Sequence, residues 1–261
     1  NLYQLYDLSH AMMAPMRLAA ETAQTVFQNP FLPTSYTSFG RAVAAGAELI
    51  ERTTRRFGKP TFDLHSTVIG DRQIEVVEEV VKTKPFCRLL HFQRLTPHTD
   101  PKVLLVAPMS GHHATLLRGT VDALLPDHDV FITDWTDARQ VPVSKGAFDL
   151  DEYIAYLIEF IRMLGPDVHL IAVCQPAVPT LIAAAIMAQN NDPAQPASMT
   201  LMGGPIDVRA AKTQVTELAE KRSLNWFKNS VIATVPVYYP GAMRTVYPGF
   251  VQLTGFMSMN M

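Results

Sequence analysis

His169-Leu170-Ile171-Ala172-Val173-Cys174-Gln175-Pro176-Ala177-Val178-Pro179-Thr180 is the stretch on which the fold turns. No side chain from 170 to 188 is charged, a length that approaches a membrane span. Cys174, Gln175, Pro176 and Pro179 near its middle argue against one continuous apolar helix. The stretch divides instead into a buried strand over 169–173, a sharp turn at 174–176, and a helix over 177–189 that ends at the polar Gln189-Asn190-Asn191-Asp192. A strand nearly continuous in hydrophobics and followed at once by a helix is the unit of a parallel sheet covered on both faces.

The same unit recurs on both sides. Residues 103–107 are an apolar run, 112–125 have a helical pattern, 130–133 are apolar, 150–164 are helical, and 199–202 are apolar before Gly203-Gly204. Alternating strands and helices require right-handed crossovers, so these residues are expected to form a doubly wound, mostly parallel α/β core. Upstream, Gly70-Asp71 separates 64–69 from 74–81, which predicts a hairpin, followed by a third strand near 86–92.

The outer parts of the chain read differently. Residues 1–60 are expected to be an N-terminal helical extension, bounded by stop signals at Asn29-Pro30 and Gly58-Lys59-Pro60. In it Phe39, Ala42, Val43, Gly46, Leu49, Ile50 and Phe57 recur at helical spacing on a face that covers a neighbour. Residues 61–206 form the core, and 207–261 read as a cap-like region rich in Trp226, Phe227, Tyr238 and Tyr239, without clean periodicity.

Composition narrows the classes of function. At 48% hydrophobic and 18% charged residues with a net charge of −2, the chain is neither disordered nor a nucleic-acid coat. The basic group Arg52, Arg55, Arg56 and Lys59 is expected to be a solvated helix face, with no nucleic-acid partner. Two cysteines exclude a disulfide scaffold or structural zinc cluster. The first twenty residues lack the cationic start and apolar block of a secretion signal.

Chemistry is expected at the carboxyl ends of the parallel strands. Cys174 sits there. A nucleophile on such a turn projects clear of the sheet, feels the positive end of the following helix, and has the next residue's N–H aimed at a developing oxyanion. The competing role is a buried structural cysteine, the reading also given to Cys87. Ala172 and Pro176 stand where the usual elbow pattern has glycines; proline is allowed in the first turn of a helix. The loop Pro108-Met109-Ser110-Gly111-His112-His113 is expected to supply a second oxyanion N–H from Met109 or Ser110. Its adjacent histidines point apart and have no further ligand at matching spacing, so no metal is expected. Asp134 to Arg139 open on the same edge. Trp135 lines an apolar channel or simply packs, and Asp134 and Arg139 pair with each other. His169 starts its strand at the edge away from the chemistry.

Taken together, Lys84-Pro-Phe-Cys87, Ala107-Pro-Met-Ser-Gly-His-His113, Thr133-Asp-Trp135-Thr-Asp-Ala-Arg139, Val173-Cys174-Gln-Pro176 and Met202-Gly-Gly-Pro-Ile-Asp207 resemble the intracellular poly(3-hydroxybutyrate) depolymerases. The resemblance runs over essentially the whole chain, with Tyr3-Gln-Leu at its start and Val246-Tyr-Pro-Gly-Phe250 near its end. It implies an α/β-hydrolase fold, Cys174 as nucleophile in a modified lipase box, and cytoplasmic hydrolysis of the stored polyester at its granules. It also implies no cofactor and no transmembrane segment; the oligomeric state stays open. The expected site is Cys174 with an oxyanion hole from Gln175 and Met109 or Ser110, and His112, Trp135, Tyr238 and Tyr239 toward the substrate. A polyester synthase or transacylase, and a non-catalytic granule-binding protein, are the rival readings. The family's aspartate and histidine are expected beyond Met261, because the triad order is nucleophile, acid, histidine and the last histidine here is His169. The chain is therefore expected to be a truncated form with an exposed sheet edge near Met199.

Overall fold

The computed structural model describes residues 2–56, 58–97, 99–109, 111–210 and 212–258, the last three by backbone alone. The chain divides into two compact units, residues 1–59 and 60–261.

The first unit holds α1 (Leu2–Met12), α2 (Ala14–Phe27), a 3-10 turn (Pro33–Tyr36) and α3 (Ser38–Thr54). Pro15, at the start of α2, has no N–H to donate to the turn before it, so α1 and α2 are separate helices. Thr37 caps α3 by accepting from the Gly40 N–H at 3.0 Å. The buried face of α3 is not the one the hydrophobic spacing suggests. Gly40, Ala44, Ala47 and Thr54 are inside, whereas Phe39 and Leu49 are 71% and 64% exposed. Small residues let the α3 backbone approach closely: a Cβ on Gly40 would fall 1.9 Å from the Thr34 carbonyl oxygen. The basic group is partnered, with Arg52 on Glu48, Arg55 on Glu51 and Arg56 on Asp7.

The second unit is built on a seven-stranded sheet in the order β1-β2-β3-β5-β4-β6-β7. The strands are β1 (Ser66–Ile69), β2 (Arg72–Thr83), β3 (Cys87–Arg94), β4 (Lys102–Val106), β5 (Asp129–Trp135), β6 (His169–Val173) and β7 (Ser198–Met202). The β1–β2 hairpin and β3 run antiparallel, while β5, β4, β6 and β7 are parallel. Helices α4 (Arg118–Leu124), α5 (Leu150–Leu164) and α6 (Ala177–Gln189) make the crossovers. Residues 170–188 are thus a strand, a turn and a helix. Among the described residues, no helix is long and apolar enough to cross a membrane. The helix expected from 112 starts later: residues 114–117 form a 3-10 turn and α4 begins at Arg118.

Alternate strand residues feed two cores. Leu104, Val106, Leu170 and Ala172 pack beneath α5 and α6, whereas Val103, Leu105, Val130 and Ile132 meet Val121, Leu125 and Phe62 on the opposite face. The result is a doubly wound α/β sheet. Its order, with a strand-to-helix elbow after β6, one strand in from the edge, is that of an α/β-hydrolase. Beyond β7 come α7 (Gln214–Lys221), α8 (Leu224–Ser230), a separate two-stranded pair β8 (Ala233–Thr234) and β9 (Thr245–Val246), and α9 (Gly249–Ser258).

One charged clamp sits on the antiparallel side. The His91 ring stacks on Phe131 at 4.2 Å, with Nδ1 2.9 Å from Glu79 Oε1 and Nε2 2.7 Å from Asp129 Oδ1. Burial, the largest single influence, disfavours its charge, but the hydrogen bonds and charges of Asp129 and Glu79 outweigh it and raise the His91 pKa. The folded protein then holds the proton more tightly than the unfolded chain. The clamp's contribution is fully present below the unfolded pKa and is lost as pH rises through the raised folded value. In urea unfolding from about pH 5 to pH 9, the stability gap between the parent and His91→Gln is expected to narrow as pH rises; a gap that widens would contradict the clamp.

Candidate active site

The β6–α6 turn is held in a conformation that L-residues avoid. Cys174 has φ +67°, in the left-handed region, where a residue other than glycine costs on the order of 1–3 kcal/mol. Three contacts hold it there. The Cys174 N–H donates to the Met202 carbonyl at the end of β7 at 2.8 Å, and the Cys174 carbonyl accepts from the Ala177 N–H at 3.0 Å. Gly204 lies against the turn so closely that a Cβ there would stand 2.0 Å from Ala177 Cβ and 2.8 Å from the Cys174 oxygen. The thiol emerges exposed at the N-terminus of α6, where helix amides favour negative charge. Cys87, by contrast, is fully buried in β3.

The opposing wall is the loop after β4. The Ala107 N–H donates to Thr133 Oγ1 at 2.9 Å, and the Ala107 carbonyl accepts from Trp135 Nε1 at 2.8 Å. Both backbone groups of Ala107 are therefore tied to β5, which fixes where Pro108 and Met109 leave the sheet. The Met109 N–H reaches toward the elbow and donates to Gln175 Oε1 at 3.4 Å. The residue after Cys174 and the candidate second donor are thereby joined. Gly111 turns the loop at φ +73°, and a Cβ there would fall 2.7 Å from the oxygen of Gly249, the first residue of α9, and 3.2 Å from the Leu253 nitrogen one turn further on. Ser110 lies outside the described residues.

The other expected residues are distributed around this edge. His112 is half-buried and His113 exposed, both before the 3-10 turn. Trp135 packs edge-on to Tyr153 at 4.3 Å and near Phe148 at 5.8 Å; with its N–H on Ala107, it braces the Met109 loop. Asp134 pairs with Arg88 at 2.6 Å, and Arg139 with Asp137, which corrects the expected Asp134–Arg139 pair. The cause is register: Arg88 lies opposite Asp134 across the β3–β5 ladder. Tyr238 is exposed and stacks obliquely on Tyr239 at 4.9 Å, while the Arg139 guanidinium covers the Tyr239 ring at 5.3 Å. The Gly241 N–H donates to the Arg139 carbonyl at 2.7 Å, so this aromatic segment rests on the loop after β5. His169, at the amino end of β6, bonds Ser198 Oγ at 2.7 Å, away from Cys174. Sequence reasoning missed Gly204 and the Gln175 side chain; the glycine pair ending the β7 stretch was the available signal.

Two substitutions probe this construction. Gly204→Ala places a methyl inside Ala177 and is expected to lower stability by about 1–3 kcal/mol, as overpacking does, with an activity loss larger than the fraction unfolded explains. Gly111→Ala combines a strained φ with a clash on α9 and should behave similarly. Urea unfolding, with the hydrolysis assay proposed below run in parallel, checks both; parent-like values for either would remove the close approach it tests.

Residues 203–261 match the family described as PHB de-polymerase C-terminus. No curated protein matches the chain. Among solved structures, it is similar to an alpha/beta hydrolase enzyme from the metagenome of Lake Arreo, Spain, at 13% identity, covering 75% of this chain and 58% of that one, with a TM-score of 0.39. It is also similar to a membrane phospholipase A described as a bacterial virulence factor, at 16% identity, 70% and 61% coverage and a TM-score of 0.44. A third is the Francisella virulence factor BioJ, at 12% identity, 71% and 58% coverage and a TM-score of 0.35. The chain spans 58%, 61% and 58% of the length of these three structures. The segment that matches this family is the one that sets Gly204 on the elbow and α9 on the Met109 loop.

Proposed function

We propose that the protein hydrolyses the ester bonds of poly(3-hydroxybutyrate) through Cys174. The observation that carries this reading is the exposed Cys174, held at φ +67° between β6 and α6, in a chain whose residues 203–261 match the PHB de-polymerase C-terminus. The Cys174 thiolate attacks the ester carbonyl carbon, a C–S bond forms, and the carbonyl electron pair moves to oxygen. The N–H groups of Gln175 and Met109 receive that oxyanion. Collapse expels the hydroxyl end of the polymer, which takes a proton, and water then cleaves the thioester to free acid and thiol. Tyr238, Tyr239 and His112 border the approach of the polymer strand, and Trp135 holds the loop that carries Met109. No cofactor takes part. Every histidine of residues 1–261 precedes Cys174, so none occupies the place after the nucleophile from which an α/β-hydrolase draws its base. The setting proposed is the cytoplasm, at polyester granules.

The test is incubation of the full-length protein with amorphous poly(3-hydroxybutyrate), assaying released hydroxy acid. Cys174→Ala is expected to lose nearly all hydrolysis while still adsorbing to the polymer, and an activated ester should add its acyl mass at Cys174 and not at Cys87. An active alanine variant, or acylation of Cys87 first, would end this reading.

A further inference from the structure

An N–H carries one hydrogen. In this structure the Met109 hydrogen is directed at the side-chain oxygen of Gln175, 3.4 Å from the nitrogen, while Gln175 itself follows Cys174 and carries the N–H proposed above as the first oxyanion donor. The carboxamide oxygen that Met109 meets is a neutral carbonyl, the same kind of acceptor as an ester carbonyl. It extends from the very residue beside which the substrate's carbonyl must sit. The bond is long for an N–H···O contact, the mark of a weak and displaceable partner.

We propose that the Gln175 carboxamide is the resident occupant of the second oxyanion donor, and that an ester carbonyl must displace it to be activated. Gln175 then has two separate roles: its backbone N–H stabilises the oxyanion, and its side chain is a positioning group that reserves Met109 until substrate arrives. This rests on the reading of Cys174 as nucleophile. The surroundings suit such an exchange. Ala107 is anchored to Thr133 and Trp135 on one side of Met109, and Gly111 is pressed against Gly249 on the other, so the loop's backbone is held from both sides of the contact. The partner that can leave is the side chain. Its departure leaves the half-buried Met109 N–H in need of an acceptor, so the carbonyl that replaces it is bound as well as polarised.

The consequence is that removing the carboxamide should help the enzyme bind substrate, an outcome that loss of a purely structural contact would not give. The experiment follows acylation of the full-length protein by p-nitrophenyl butyrate, by stopped-flow release of nitrophenolate and by intact mass, in the parent, Gln175→Ala, Gln175→Met and Cys174→Ala. Gln175→Met keeps the length and bulk of the side chain without its carbonyl, and so decides the matter if the alanine variant folds poorly. Both Gln175 variants are expected to reach half-maximal acylation rate at about two- to tenfold lower ester concentration, the range that loss of one neutral competing hydrogen bond allows. An unchanged or raised half-saturating concentration together with a slower maximal rate in Gln175→Met would overturn the proposal and make the carboxamide a support for the loop. Acyl mass on Cys174→Ala would instead overturn the nucleophile assignment, so the two failures are told apart.

Discussion

The left-handed backbone at Cys174 is the constraint on which the rest of the site depends. A cysteine gains nothing locally from φ +67°, so the conformation has to be imposed by its neighbours. The Met202 carbonyl holds its N–H from β7, the first turn of α6 holds its carbonyl, and Gly204 admits no side chain at the point of closest approach. The elbow itself and residues 202–204, distant from it in sequence, thus meet in a few ångströms to aim one thiol. Because β6 lies inside the sheet, between β4 and β7, neither can relax without disturbing the ladder.

Placement of the second wall follows from the same sheet. Parallel β4 and β5 end at one edge, and the side chains of Thr133 and Trp135 cross back to both polar groups of Ala107. A backbone segment whose hydrogen bonds are satisfied by side chains of the next strand stays where the strand puts it, although it is itself irregular. Trp135 therefore contributes by geometry, and its ring belongs to the aromatic packing of Phe148 and Tyr153 under α5. The segment from Val235 to α9 lies over this edge: Arg244 bonds the carbonyls of Val141 and Pro142, Gly241 bonds Arg139, and Gly249 abuts Gly111.

Charge is handled locally throughout. Lys82 and Lys84 converge on Glu159, whose pKa is lowered chiefly by the hydrogen bond from Lys84. Arg94, nearly buried, is neutralised by Asp100 and bonded to the Leu125 carbonyl. Such pairs contribute little net stability when exposed, but a buried guanidinium without its carboxylate would be strongly destabilising. The pairs sit along the sheet and helices, and the basic helix end of the first unit is likewise matched by its own acids.

The sequence by itself determined the alternation of strands and helices from 103 to 202, the limits of α5, β6 and α6, and the turn that bears Cys174. Continuous apolar runs and helical hydrophobic patterns are imposed by burial on each element separately, so they can be read without knowing the partner. It misjudged the buried face of α3, because the spacing of large apolar residues says nothing of how closely small ones allow two helices to approach. Only the tertiary structure decided that Arg88 and not Arg139 meets Asp134, that Gly204 closes on the elbow, and that Gln175 reaches Met109. These contacts join residues from 27 positions apart, Ala177 and Gly204, to 66, Met109 and Gln175, and no local preference of either partner encodes the other.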